Sequence, residues 1–173
     1  MVFMRRVFFG LFIVIAGLSC GGGETPLFVM ELDAELLIPA GLNSLDSYYF
    51  VIEDVPTRIA NYATTTFADI DRIQSSNASL EGRVLEFDYS IIDQITIHVI
   101  SKSDPSNQKE IFYNNLIPFN EQNELRLLSS LSNVSDILID DEINLGVRII
   151  FRRFTPTEFD TRLYMTFNAY ATE

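Results

Sequence analysis

The stretch FVMELDAELLI, residues 28 to 38, decides the fold class. Phe28, Met30, Leu32, Ala34, Leu36 and Ile38 stand at every second position, with Glu31, Asp33 and Glu35 among the residues between them. Successive side chains of an extended chain point to opposite sides, so this period of two makes one apolar and one acidic face. A half-buried β-strand is the expectation. Working outward, SYYFVIE (residues 47 to 53) is apolar on both faces and reads as a central strand or one covered by another element. RVLEFDY (83 to 89) alternates again, setting Leu85, Phe87 and Tyr89 against Glu86 and Asp88. QITIHVI follows from residue 94, after a break near Ile92 and Asp93. Further strands are expected at EIFYNNLI, ELRLLSSL, INLGVRIIFRR and TRLYMTFNAYA, the last two joined by FTPTEFD, where Pro156 marks a connection.

Two segments fit strands less well. Residues 57 to 74 could form a helix capped by Thr57, with Ile59, Ala63, Ile70 and Ile73 toward one side. The β-branched run Thr64, Thr65, Thr66 argues against it, because such side chains lose rotamer freedom in a helix. The segment stays open between the two. SNVSDILIDD (132 to 141) reads as one or two helical turns, capped by Asn133 with Asp136 in the first turn. Many strands with turn signals between them, and no alternation of strand and helix, predict an antiparallel β-sandwich, immunoglobulin-like or related, over residues 27 to 173.

Composition bounds the function. The chain has 173 residues, 47% of them hydrophobic and 12% aromatic, enough to bury the core of one domain. All 24 acidic residues follow residue 20, whereas Arg5 and Arg6 precede it, so a chain starting at Cys20 carries a net charge of −14. That excludes direct binding to nucleic acid or to an anionic lipid surface, both of which need a basic patch. A single cysteine permits no intramolecular disulfide, so packing must supply the stability.

The N-terminus falls into three parts. MVFMRR carries two positive charges, Val7 to Leu18 is an apolar run of 12 residues, and Ser19 and Cys20 follow. As a helix this run would reach about 18 Å against a hydrocarbon core of about 30 Å, which suits a removable secretory signal better than a permanent span. With Gly17, Leu18 and Ser19 ahead of Cys20, the arrangement resembles the bacterial lipoprotein signal of the Bacteroidota type. Leu18 sits one place nearer the cysteine than in the commonest lipobox. The resemblance implies a signal peptide over 1 to 19 and lipidation of Cys20 with a diacylglyceryl group and an amide-linked acyl chain. Residues 20 to 26, rich in glycine, would then be a flexible leash. Gly21, in place of an aspartate, implies sorting to the outer membrane, on either face. The membrane would be a partner only through that lipid.

Catalytic chemistry finds few materials. His98 is the only histidine and lies opposite Ile95, Ile97 and Val99, so it is expected outward or at the sheet rim as a surface or packing residue. No Ser-His-Asp triad can be assembled around it, and a lipidated Cys20 would have no free thiol. Asp140, Asp141 and Glu142 offer oxygen ligands of the kind calcium takes, but lack the spaced ligands and turn glycine of an EF-hand loop and read as a solvated acidic loop. Glu31, Asp33 and Glu35 lie about 6.8 Å apart in succession on one strand face, too wide for neighbours to grip one ion unaided. Zinc, haem, iron-sulfur and phosphate-loop patterns are missing, so no cofactor is expected.

What remains are surfaces. If the last two strands pair, Arg148, Arg152, Arg162, Tyr164 and Tyr170 could form one patch of the composition enriched at interfaces. The plainer and preferred reading is that these arginines neutralise the chain's own Glu31 to Glu35 face. The leading functional expectation is a non-enzymatic outer-membrane lipoprotein serving as accessory or binding subunit of a cell-envelope assembly, with an envelope protein as partner. An apolar-ligand or glycan binding module comes second, and a hydrolase using paired carboxylates third.

Overall fold

In the computed structural model the described residues are 24–62, 69–83, 88–119 and 124–171. They form eight antiparallel strands: β1 (Phe28–Ile38), β2 (Ser47–Pro56), β3 (Ile70–Gly82), β4 (Ile92–Ser101), β5 (Gln108–Asn114), β6 (Glu124–Ser129), β7 (Glu142–Phe151) and β8 (Phe159–Ala171). Their order is β1-β8-β3-β6-β5-β4-β7-β2, a nearly closed sheet whose end strands β1 and β2 approach one another without a hydrogen-bonded ladder. Only β4 with β5 and β5 with β6 pair as sequence neighbours, so every other ladder is long-range. The link between β5 and β6 is short, with Phe112 opposite Ser129 and Tyr113 opposite Leu128.

β1 forms as its alternation dictates: Met30, Leu32, Ala34, Leu36 and Ile38 are buried, while Val29, Glu31, Glu35 and Leu37 are exposed. The same inward row recurs as Ile95, Ile97 and Val99 on β4, as Ile143, Leu145, Val147, Ile149 and Phe151 on β7, and as Leu163, Met165, Phe167 and Ala169 on β8. These rows make one core. Phe112 of β5 meets Phe167 of β8 edge to face across it, at 5.7 Å between ring centroids.

One strand expectation needs correction, and two other segments are described only in part. SYYFVIE is neither central nor covered: β2 is an end strand, and Tyr49 and Val51 on its outer side are each 51% exposed. Its inner residues Tyr48, Phe50 and Ile52 pack on the core, so apolarity on both faces here marks an edge with one solvated apolar row. The open segment 57 to 74 divides into a short 3-10 turn, Ile59–Asn61, and the start of β3, with 63–68 outside the described residues. Of the expected strand 83 to 89, residues 84–87 lie outside the described residues, and its described ends, Arg83 and Tyr89, are not in a strand. β3 ends at Gly82, and Tyr89–Ile91 is a 3-10 turn whose first amides are held by Asp88, its carboxylate accepting from the Ser90 N–H at 3.0 Å. Leu85 and Phe87 lie outside the described residues, as does Cys20.

The expected helical turn is present as α1 (Ser135–Leu138), but its N-cap position is Val134, which offers no side-chain cap, rather than Asn133. Asn133 acts just ahead of it, its side-chain oxygen accepting from Ser135 N–H at 3.0 Å and from Ile73 N–H at 3.2 Å. Asp136 in its first turn receives Lys109 Nζ at 2.6 Å.

The connections sort to two ends. The chain enters near Glu24, which pairs with Arg72 at the start of β3, and Leu27 N–H donates to Ala169 O near the end of β8. The α1 connection lies at this same end, since Val134 N–H donates to Ile73 O. At the far end the β1–β2 and β7–β8 connections are knotted by buried Thr155. Its hydroxyl accepts from Leu42 N–H at 2.8 Å and donates to Pro39 O at 3.1 Å, and its amide donates to Leu42 O at 2.9 Å.

Candidate functional site

The five-residue patch does not assemble. β7 pairs with β2 and β4, and β8 with β1 and β3, so the pairing it required is absent and its members divide. Arg148 donates to Ser47 Oγ on β2 at 2.7 Å. Tyr170 sits beneath the Arg72 guanidinium, 4.6 Å from its ring centroid. Arg162 turns to β1, where Nε and Nη2 reach Asp33 Oδ2 at 3.1 and 2.6 Å. Those hydrogen bonds and that charge raise the Arg162 pKa above its ordinary value. Arg83 likewise meets Glu35 at 2.9 Å. For Arg162 the preferred reading, partner to the acidic β1 face, is therefore what the geometry gives.

Arg162 and Tyr164 belong to a polar sheet face built by β1, β8, β3 and β6. Cross-strand register places Asp33, Tyr164, Ser79 and Arg126 in one row across the four strands. Tyr164 is 40% exposed at the middle of that row. Two shallow depressions flank it. One, of about 390 Å³, runs over β1 and β8 to the Arg58 and Tyr62 turn; the other, of about 300 Å³, runs over β3 and β6 to Arg126 and Glu124. They share Tyr164 and Thr166. Tyr62 fixes one wall, stacking on Phe28 at 6.1 Å and donating to Glu31 O at 3.4 Å. Asn77, Ser79 and Arg126 escaped the sequence reading because nothing local links them to Tyr164; strand pairing alone brings them there.

The other feature is the far end. Arg152, a member of the expected patch, is instead its internal tie. Its Nε meets Asp93 at 2.9 Å, its Nη2 donates to Ile117 O at 2.6 Å and its Nη1 to Ser90 O at 3.4 Å. Phe119 covers the guanidinium at 4.4 Å. Three connections converge on one side chain that is 17% exposed. Arg152→Ala leaves two carbonyls without this donor and is expected to cost about 2–3 kcal/mol, lowering the thermal midpoint by roughly 4–12 °C. Arg152→Lys should recover little, because one ammonium cannot reproduce a planar fork aimed at three groups. Differential scanning calorimetry of both variants measures this.

Around that tie, large apolar side chains stand in solvent: Leu45 at 91% exposure, Leu116 at 88%, Phe119 at 81% and Phe154 at 59%. They lie on the β1–β2, β5–β6 and β7–β8 connections. The end where the chain enters also exposes Leu131 and Ile139, on the connection holding α1.

Elsewhere, His98 is half-buried on the outer side of β4, opposite Gly146 and Glu110, and its Nδ1 has no hydrogen-bond partner among the described residues. The Tyr49 phenol lies against Gly146, where an added Cβ would come within 2.0 Å of its hydroxyl. In the acidic stretch 140 to 142, Glu142 pairs with Lys102, which also meets Asp54 at 2.6 Å; these bonds raise the Lys102 pKa. Thr57 donates to the backbone oxygens of Asp140 and Asp141. Among the described residues no three His, Cys, Asp or Glu side chains converge as a metal site.

No family model matches the chain, and no curated protein matches it. Among solved structures it is similar to a chain of the cyanophage Pam1 capsid at 10% identity and a TM-score of 0.41, over 89% of this chain and 94% of that one. It is also similar to a chain of the turnip yellow mosaic virus empty head at 10% identity and a TM-score of 0.25, over 100% and 91%. At TM-scores this low neither likeness bears on the role of this chain.

Proposed function

We propose that this protein is a non-enzymatic binding subunit of a cell-envelope assembly, held at the outer membrane through lipid on Cys20, and that its far end docks an apolar surface of a protein partner. The single observation that carries this reading is the group of solvated Leu45, Leu116, Phe119 and Phe154 on connections pinned by Arg152 and Thr155. Exposed apolar groups on a rigid frame lose little conformational freedom on docking, which is what an interface anchor requires. The chain enters at the opposite end of β1, an 11-residue strand about 36 Å long. A leash there presents the apolar end away from the anchoring bilayer, and the net charge of −14 carried from Cys20 onward opposes contact with anionic lipid. A protein is therefore the fitting occupant.

Within the antiparallel sandwich class, the order β1-β8-β3-β6 beside β2-β7-β4-β5 supports two packed four-stranded sheets in the double Greek-key connectivity of a jelly roll. It favours that arrangement over an immunoglobulin-like one, where sequence-adjacent strands supply more of the ladders.

The test is a mild-detergent purification from native membranes. The wild-type protein should bring down one protein in stoichiometric amount, which is then identified, made separately and titrated. A Leu116→Ser/Phe119→Ser variant with an unchanged thermal midpoint should bind it at least about tenfold more weakly. Recovery of the protein only as a monomer, or equal binding by the variant, overturns the reading.

A further inference from the structure

We propose a second site, independent of the docking end: the outer face of β1, β8, β3 and β6 binds a neutral oligosaccharide laid across Tyr164. The two depressions lie on either side of Tyr164 and Thr166, which line both, so one extended ligand laid over Tyr164 can reach into each. Together they cross four strands, about 14 Å, which suits a short oligosaccharide better than a single sugar. Their chemistry is mixed in the way a sugar is mixed. Asp33 accepts, Arg126 donates, and Asn77, Ser79 and Thr166 do both, as the hydroxyls of a sugar ring also do. Between the two depressions stands Tyr164, 40% exposed, an aromatic side chain against which the C–H side of a sugar ring can lie.

The same lining disfavours other occupants. Glu31, Asp33 and Glu124 outnumber Arg58 and Arg126 in the lining, which disfavours phosphates, sulfates and acidic polymers. An acyl chain would desolvate these polar walls with no compensating hydrogen bonds. The platform is also held in place. Arg162 is fixed to Asp33 and lies 5.6 Å from the Tyr164 ring, and every residue of the central row is on a paired strand, so little ordering remains for the ligand to impose.

The test uses neutral hexasaccharides of β-1,3-glucan, β-1,4-glucan, xylan, mannan and chitin, each at millimolar concentration with the purified domain, read by saturation-transfer NMR and then calorimetry. At least one should bind. Tyr164→Ala should weaken it by about tenfold or more, and Tyr164→Phe should restore it to within a few-fold, with thermal unfolding unchanged in both. The Leu116→Ser/Phe119→Ser variant should bind sugar as the wild type does, which separates this site from the docking end. Silence across the panel, binding that survives Tyr164→Ala, or loss of sugar binding in the loop variant each overturns it.

Discussion

Phe167→Ala is expected to lower the unfolding free energy by about 3–5 kcal/mol, a large share of the roughly 5–15 kcal/mol that holds a domain of ordinary size. Phe167 is wholly buried on β8, and Phe112, its edge-to-face partner at an interplanar angle of 62°, is wholly buried on β5. Those strands are not neighbours: β8 pairs with β1 and β3, and β5 with β4 and β6. The ring pair therefore joins two strand groups whose direct ladder connection, between β5 and β6, spans only two residue pairs. Truncating Phe167 removes apolar burial and leaves a cavity in the core where Phe112 packed against its ring. Urea unfolding should show a lower midpoint at unchanged slope, and a cycle with Phe112→Leu should return a coupling of about 0.5–1.5 kcal/mol. A loss below about 1 kcal/mol would mean that this interior contact does not hold the two groups together.

How much of this was legible in the sequence depended on whether a strand keeps its period. β1 does, from Met30 to Ile38, and its burial follows residue by residue. β3 does not. Its inward residues are Ile73, Ser75, Ala78 and Leu80, and the step from Ser75 to Ala78 is odd because a bulge between Ser75 and Asn77 slips the register by one. A polar strand with two serines and an asparagine at that slip shows neither alternation nor a strong propensity, so it escaped notice although it is, with β8, the longest strand. The short helix was legible because its signals are local: Asn133 ahead of it and Asp136 within it.

The site divides along the same line. Arg162 and Tyr164 were singled out from the alternation of β8 alone, and they do face outward. Their assignment to one patch with Arg148 and Arg152 failed because it supposed that consecutive strands pair, whereas this topology sends β7 and β8 to different partners. Only the pairing decides that Asp33 and Ser79, forty-six positions apart, both stand beside Tyr164.

The last expected result concerns the anchor, where the effect should be close to all-or-none. On the proposed reading the lipid on Cys20 supplies the membrane affinity; the chain after residue 20 is strongly acidic, and among the described residues no helix is long and apolar enough to cross a membrane. Each buried methylene contributes about 0.8 kcal/mol, and one acyl chain alone gives only marginal, reversible attachment. The diacylglyceryl group and amide-linked chain implied by the signal together exceed that by many kcal/mol, and attachment becomes effectively permanent. Wild-type protein should incorporate a labelled fatty acid and fractionate with the outer membrane through high-salt washing. Cys20→Ala should incorporate none and disappear from that fraction. Failure to cut an unlipidated precursor would leave the 12-residue apolar run attached, so a second variant pairs Cys20→Ala with an ordinary cleavable secretory signal in place of residues 1 to 19. That protein should be fully soluble and, because Glu24 and all later residues are unchanged, should bind the partner at its far end with wild-type strength. Its persistence in the outer-membrane fraction would overturn the lipid anchor, and would instead assign membrane attachment to a surface of the folded domain.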